Sequence, residues 1–309
     1  MQIVTSYDSP DLDGIACSIA YTELQTKLGH QCRALYFGDL GLEVEFMKNY
    51  TNYFPIEKHT GPYPLDSEIT LVDCSDPSEL DPNLPVDKIK LIFDHRQSSS
   101  IIKFTNASKN ISLVGSCATL VSKEFIKHNL TPSINAALYL YAAIVSNTIN
   151  FQNPLTTPED IHAASWLKNI AQPKADFISQ MFTAKSLVTT QNIYQILFQD
   201  FAIKTFGTKK IGLAQIEVAN IQDFSPELLS TLLESLVKLK AENNLDYILL
   251  NGIDILQGYS LFYTVDNDSL KFFSQALNLP DLKPGYQNQG IIMRKQLWPL
   301  VEKQINNQL

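Results

Sequence analysis

Three short runs rich in β-branched residues, Ile3-Val4-Thr5-Ser6-Tyr7, Ile69-Thr70-Leu71-Val72 and Ile89-Lys90-Leu91-Ile92-Phe93, each give way to acidic or imidazole side chains. The first is followed by Asp8, Asp11 and Asp13, the second by Asp73 and Asp76, and the third by Asp94 and His95. After the first run, residues 14–28 place Ile15, Ile19, Ala20 and Leu24 on one helical face. Residues 33–37 and 111–114 read as further strands, the latter stopping at Gly115-Ser116 before a helical stretch with Leu120, Val121 and Phe125. Strands that alternate with helices predict an α/β fold with a doubly wound, mainly parallel sheet covered on both faces. Ligands of such sheets bind at the carboxyl ends of the strands, so the three acidic ends are expected to converge on one crevice.

Further along, residues 134–149 read as a buried helix, and a second helix begins at Thr157-Pro158. The polar segment 183–192 is the expected junction, giving a domain at 1–187 and a second at 188–309. The second reads as a smaller α/β domain. Its strands are expected at 210–218, 247–250 and 260–265, with a helix opened by Ser225-Pro226 and lined by Leu229, Leu232, Leu233, Leu236 and Leu239. The active site is expected in the cleft between the two domains.

Composition narrows the function classes. The chain has 309 residues, 45% of them hydrophobic and 18% charged, as expected of a globular protein. No apolar run reaches the roughly 20 residues that span a bilayer, and no basic-then-apolar leader opens the chain. No membrane association and a cytoplasmic location are expected. A net charge of −8 argues against general nucleic-acid binding, although local cations and a metal can still draw an anion into a cleft. Cys17, Cys32, Cys74 and Cys117 form no C-x-x-C pair and read as buried thiols.

A lone aspartate after a strand is usually a turn former or helix cap, and Asp8 and Asp76 are read that way. The coincidence of Asp11, Asp13, Asp73, Asp94 and His95 at three strand ends points elsewhere. Several carboxylates within a few ångströms need a compensating cation. Oxygen ligands with a single imidazole suit Mn²⁺ or Mg²⁺, one ion or two, and two ions can clamp the attacking and leaving oxygens of a phosphoryl transfer.

These residues resemble a known family. Pro10-Asp11-Leu12-Asp13-Gly14-Ile15-Ala16-Cys17-Ser18 is similar to the N-P-D-x-D-x-I-x-S motif of DHH phosphoesterases, Leu71-Val72-Asp73 to their second motif and Asp94-His95-Arg96 to the D-H-H motif. Gly115-Ser116-Cys117-Ala118-Thr119 resembles the G-S/C-x-A-T motif, and residues 143–151 resemble the segment with the last metal ligand. Residues 212–217 and Arg294-Lys295-Gln296 resemble the DHH-associated domain of family II inorganic pyrophosphatases, exopolyphosphatases and prune proteins. The G-G-G-H motif of the oligonucleotide-cleaving members is absent.

The resemblance implies a metal-dependent phosphohydrolase acting on pyrophosphate, short polyphosphate or a small phosphorylated metabolite. It implies Asp11 on a first metal, Asp13 and His95 on a second, Asp73 bridging them, and Asn147 as a weak further ligand. Asp73, Asp94, His95 and Arg96 are the implied catalytic group. Arg96, Arg294 and Lys295 would bind the substrate phosphate, and a homodimer is a further expectation. The chain also departs from the pattern. Tyr7 stands where the family has a metal-binding histidine, Arg96 replaces the second histidine of D-H-H, Asn147 replaces an aspartate, and Ala202, with Lys204 nearby, stands for a substrate lysine. These changes keep open a second reading, a catalytically impaired protein that binds phosphate compounds or a protein partner.

Overall fold

The computed structural model describes residues 1–64, 66–96 and 99–306. The chain divides into two compact units, Met1–Lys185 and Ser186–Leu309.

The first unit is built on six parallel strands, β1 (Gln2–Thr5), β2 (Cys32–Tyr36), β3 (Glu57–Lys58), β4 (Glu68–Val72), β5 (Ile89–Asp94) and β6 (Ser108–Ile111). Their order is β3-β2-β1-β4-β5-β6. From β1 the chain builds outward through β2 and β3, then restarts at β4 on the other side. That reversal sets the carboxyl ends of β1 and β4 side by side, with β5 next, which is where sheets of this kind bind ligands.

Helices α1 (Leu12–Lys27), α2 (Leu42–Thr51), α3 (Cys117–Lys127), α4 (Ile134–Asn147), α5 (Pro158–Ala171) and α6 (Phe177–Lys185) complete the unit. Helix α1 packs on β1 and β2, with α3 beside it and α4 above it. Every residue of α4 from Ala136 to Ser146 is buried, as expected of a helix enclosed by others. The opposite face of the sheet, with Ile3, Leu35, Ile69, Leu71 and Ile89, is covered by Tyr63, Leu80, Leu84 and Phe104 from connecting segments. The reason is in the sequence. Pro77, Pro82 and Pro85 interrupt the β4–β5 connection, and only the 3₁₀ turns Pro77–Glu79 and Val86–Lys88 form there.

One strand lies upstream of its expected place. The apolar run 111–114 suggested a strand, but β6 is Ser108–Ile111, held by pairing of Leu91 with Ser108 through Asp94 with Ile111. Residues beyond it leave the ladder, and Leu113 is 68% exposed.

The second unit adds α7 (Ile193–Gln199), β7 (Phe201–Phe206), β8 (Lys209–Val218), α8 (Pro226–Glu242), β9 (Tyr247–Asp254), β10 (Tyr259–Tyr263), α9 (Asn267–Ala276), β11 (Tyr286–Asn288) and α10 (Arg294–Asn306). Its sheet runs β11-β10-β9-β8-β7, with β8 and β9 parallel and the other neighbours antiparallel. Ser225 caps α8 by accepting from Leu228 N at 3.2 Å, and Leu232, Leu236 and Leu239 face the core. Phe272, Phe273, Leu297 and Trp298 fill a second apolar cluster. No described helix is long and apolar enough to cross a membrane.

Candidate metal centre

The acidic cluster is assembled at the ends of β1, β4 and β5, and each member is fixed by backbone as much as by side chains. Asp11 is the N-cap of α1, its Oδ1 accepting from Asp13 N at 2.9 Å and Gly14 N at 3.2 Å. Gly14 is required there because a Cβ would stand 2.5 Å from Ser6 Oγ. The helix therefore starts tight against the end of β1 and turns Asp13 inward, where it is fully buried.

Asp13 is held at the start of α3. Its Oδ2 accepts from Cys117 N at 2.7 Å and Asn147 Nδ2 at 2.7 Å, and its Oδ1 accepts from Ala118 N at 2.9 Å and Cys17 Sγ at 3.5 Å. The first amides of a helix suit a carboxylate. Burial nevertheless raises the Asp13 pKa, partly offset by His95 and by these amides. Asn147, at the end of α4, thus presents its amide nitrogen to Asp13.

Asp73 follows β4 in left-handed backbone, with φ 55°. Its side chain is buried, and Oδ1 has no hydrogen-bond partner among the described residues. His95 Nε2 lies 3.4 Å from that oxygen and Arg96 Nη2 3.7 Å from it. Burial and the neighbouring Asp13 and Asp11 push the Asp73 pKa well up, with Arg96 opposing. Below His95, Nδ1 is 3.0 Å from Val114 O. A carbonyl can only accept, so Nδ1 carries a proton, and in the neutral ring the Nε2 lone pair faces Asp73.

Ligand atoms of Asp13, Asp73 and His95 all lie within 4.8 Å of one another. A buried carboxylate oxygen without a donor, a second buried carboxylate and an imidazole in the ligating tautomer fit a divalent cation. Asp11 stands outside this trio, on the helix cap.

Asp94 and Arg96 form the other side of the cluster. Asp94 Oδ1 accepts from Arg96 N at 3.0 Å and from Arg96 Nε at 3.3 Å, and Arg96 Nη2 donates to Asp73 O at 2.6 Å. Partial burial opposes the charge of Arg96, but Asp73 and Asp94 outweigh it and raise its pKa. Tyr7 accepts from Asp11 N at 3.1 Å, and its ring centre is 5.8 Å from the guanidinium carbon. Burial raises the Tyr7 pKa well above its ordinary value, with Asp11 and Asp73 adding to the effect. Asp76, by contrast, caps a 3₁₀ turn through Ser78 N, and Asp8 is exposed.

Two supports carry no motif signal. Glu43, from α2, accepts from Leu12 N at 3.2 Å and Ser146 Oγ at 2.6 Å, and Lys185 Nζ lies 3.4 Å away. It joins the start of α1 to the end of α4. Asp160 accepts from Gly115 N at 2.8 Å and Thr119 Oγ1 at 2.6 Å, joining α5 to the start of α3. The amides of Cys117 and Ala118 give no residue-type signal at all. The run 115–119, which resembles a family motif, marks the segment without showing that its backbone is what reaches Asp13.

In the second unit, Arg294 opens α10. Its Nη1 contacts Asp200 O at 2.5 Å and Asp200 Oδ1 at 2.6 Å, and its N–H donates to Gln215 Oε1 at 2.8 Å. Ala202 lies inside β7, and Lys204 Nζ sits 5.0 Å from the Trp298 ring centre.

Residues 179–304 match the DHHA2 domain. The probable manganese-dependent inorganic pyrophosphatase of Clostridium acetobutylicum is 28% identical over 304 residues, covering 94% of each chain. The chain is a relative of the manganese-dependent inorganic pyrophosphatases. The Bacillus subtilis manganese-dependent inorganic pyrophosphatase is 25% identical over 95% of this chain and 94% of its own. Among solved structures, the putative family II inorganic pyrophosphatase of Methanococcus jannaschii superposes with a TM-score of 0.69 at 26% identity, over 99% of this chain and all of its own. The resemblance read from motifs in both halves is thus met by pyrophosphatase relatives along nearly the whole length and by the DHHA2 domain in the second half.

Proposed function

We propose that this pyrophosphatase relative is a metal-dependent phosphohydrolase that cleaves a phosphoanhydride, with pyrophosphate the first substrate to test and short polyphosphate or a small phosphorylated metabolite next. The observation that carries this reading is Asp73 Oδ1, buried without a donor among the described residues and facing His95 Nε2 beside a second buried carboxylate. The relatives' manganese dependence supports it.

Asp13, Asp73 and His95 would hold the ion. When bound, a divalent cation supplies an acidified water and charge neutralisation at a phosphoryl oxygen. The protein's own part is orientation. Val114 O fixes the His95 ring, the start of α3 fixes Asp13, and Asp94 fixes Arg96. The Arg96 side chain is 46% exposed, so its fork can meet non-bridging phosphate oxygens as their charge shifts during transfer. Within this reading the first unit carries the chemistry and the second, through Arg294 and Lys295, binds the substrate phosphate.

The test is phosphate release from pyrophosphate, tripolyphosphate and a phosphomonoester panel with Mn²⁺, Mg²⁺ or Co²⁺. Metal-dependent turnover lost in Asp73→Asn is the expected result. No turnover on any substrate sinks the hydrolase reading and favours a protein that only binds phosphate compounds. Turnover that survives Asp73→Asn sinks the site.

A further inference from the structure

One side of the acidic cluster already holds a cation. Arg96 Nη2 lies 2.6 Å from Asp73 O and 3.7 Å from Asp73 Oδ1, while Nε is 3.3 Å from Asp94 Oδ1. The face of the Tyr7 ring is on the guanidinium, with 5.8 Å from carbon to ring centre. Two groups that could have held a second ion beside Asp73 are already partly engaged. The Tyr7 oxygen accepts from Asp11 N, and Asp11 Oδ1 accepts from two amides of α1. Asp73 Oδ1, although 3.7 Å from Arg96 Nη2, lacks a hydrogen-bond donor among the described residues and forms a ligand trio with Asp13 and His95.

Two divalent ions about 4 Å apart can clamp both oxygens of a phosphoryl transfer. A second divalent ion shared between Asp73 and Asp11 would have to sit beside a guanidinium that is itself bonded to Asp73. Like charges at such separations repel strongly in a partly buried site.

We propose that this is a single-ion centre in which the Arg96 guanidinium, fixed by Asp94, Asp73 and Tyr7, stands in place of a second metal ion. Resting on the phosphohydrolase reading, it assigns the substrate a binding mode between one metal ion and one guanidinium. Arginine suits that task because its planar fork pairs with two phosphate oxygens and keeps its charge at every working pH. Asp94 is then a positioning residue, acting on the substrate only through Arg96.

The full-length chain, stripped of metal and titrated with Mn²⁺, tests this by calorimetric stoichiometry and by the electron paramagnetic resonance of the bound ion. The expected result is one Mn²⁺ per chain with the hyperfine pattern of an isolated ion. Two ions per chain, or an exchange-coupled spectrum, overturn the proposal. In Arg96→Lys, which keeps the charge, the stoichiometry stays at one. In the double variant Tyr7→His with Arg96→His, a second ion binds and coupling appears. If that variant does not fold, Arg96→Met is the substitute, and a second, weaker Mn²⁺ is expected. A folded Arg96→Met or double variant, with no cation at that position, that still takes a single ion overturns the role given to Arg96. The two readings fail separately. A chain that binds one Mn²⁺ but turns over nothing defeats the hydrolase reading alone, and one that turns over substrate with two ions bound defeats the single-ion centre alone.

Discussion

Asp73 occupies backbone that few side chains tolerate. At φ 55° an alanine would be strained, whereas asparagine is at home in the left-handed region. Asp73→Asn is therefore the informative substitution. It preserves shape and backbone but removes a buried charge that neighbouring carboxylates repel. In the absence of metal we expect the variant to be more stable than wild type by about 1 kcal/mol, read as a higher Tm. With Mn²⁺ present the order should reverse, because the variant gains nothing from the ion. A variant that still rises in Tm with Mn²⁺ would count against Asp73 as a ligand.

At the scale of elements, the centre depends on how the starts of α1 and α3 meet. Gly115 N, Thr119 Oγ1, Thr157 N and Thr157 Oγ1 all donate to the buried Asp160. Asp160→Asn turns part of that acceptor into a donor facing other donors, at a cost of about 3 kcal/mol. Because the same turn presents Cys117 N and Ala118 N to Asp13, Mn²⁺ affinity should fall as well, at least tenfold by calorimetry. Unchanged affinity in a destabilised variant would separate the scaffold from the site. The elements also show what the sequence could reveal. Asp13, Asp73 and His95 were legible because strand ends in a parallel sheet converge, a rule that needs only periodicity and order. The seat of Asp13 was not, since its donors are backbone amides of α3 and the side chain of Asn147, which arrives from a different helix. Strand β6 was misplaced because four apolar-leaning residues resemble a strand, whereas its ladder with β5 selects Ser108–Ile111. Only once Leu113 and Val114 have left that ladder can the Val114 carbonyl reach His95.

Across the whole molecule, acid should weaken the protein through Glu43. Burial alone would raise its pKa, but Lys185, Ser146 and the amide of Leu12 outweigh that and hold it below the ordinary value. A carboxyl with a depressed folded-state pKa stabilises fully above its unfolded value of about 4.3. That contribution is lost as the pH falls through the folded value. Tm measured from pH 7 downward should therefore drop below about pH 4 in wild type. Lys185→Met strands a buried carboxylate, costs about 3 kcal/mol at neutral pH and makes the acid dependence shallower. An unchanged acid profile in that variant would place the acid-sensitive group elsewhere. Nothing in the sequence singles out this pair, because Glu43 and Lys185 meet only after α2 and α6 have packed.

The donor arrangement around Asp13 also governs how ion and substrate treat each other. Both lone pairs of Oδ2 are committed, to Cys117 N and Asn147 Nδ2, and Oδ1 keeps one beside Ala118 N that only a weak thiol donor contests. Asp13 can thus give an ion a single oxygen, and the trio leaves most of a Mn²⁺ or Mg²⁺ shell to other donors. A phosphate oxygen entering that shell would tighten the grip on the ion, and by thermodynamic reciprocity the ion would tighten the grip on the phosphate compound by the same factor. The sparing ligand set would tie each affinity to the other through one shared coupling factor.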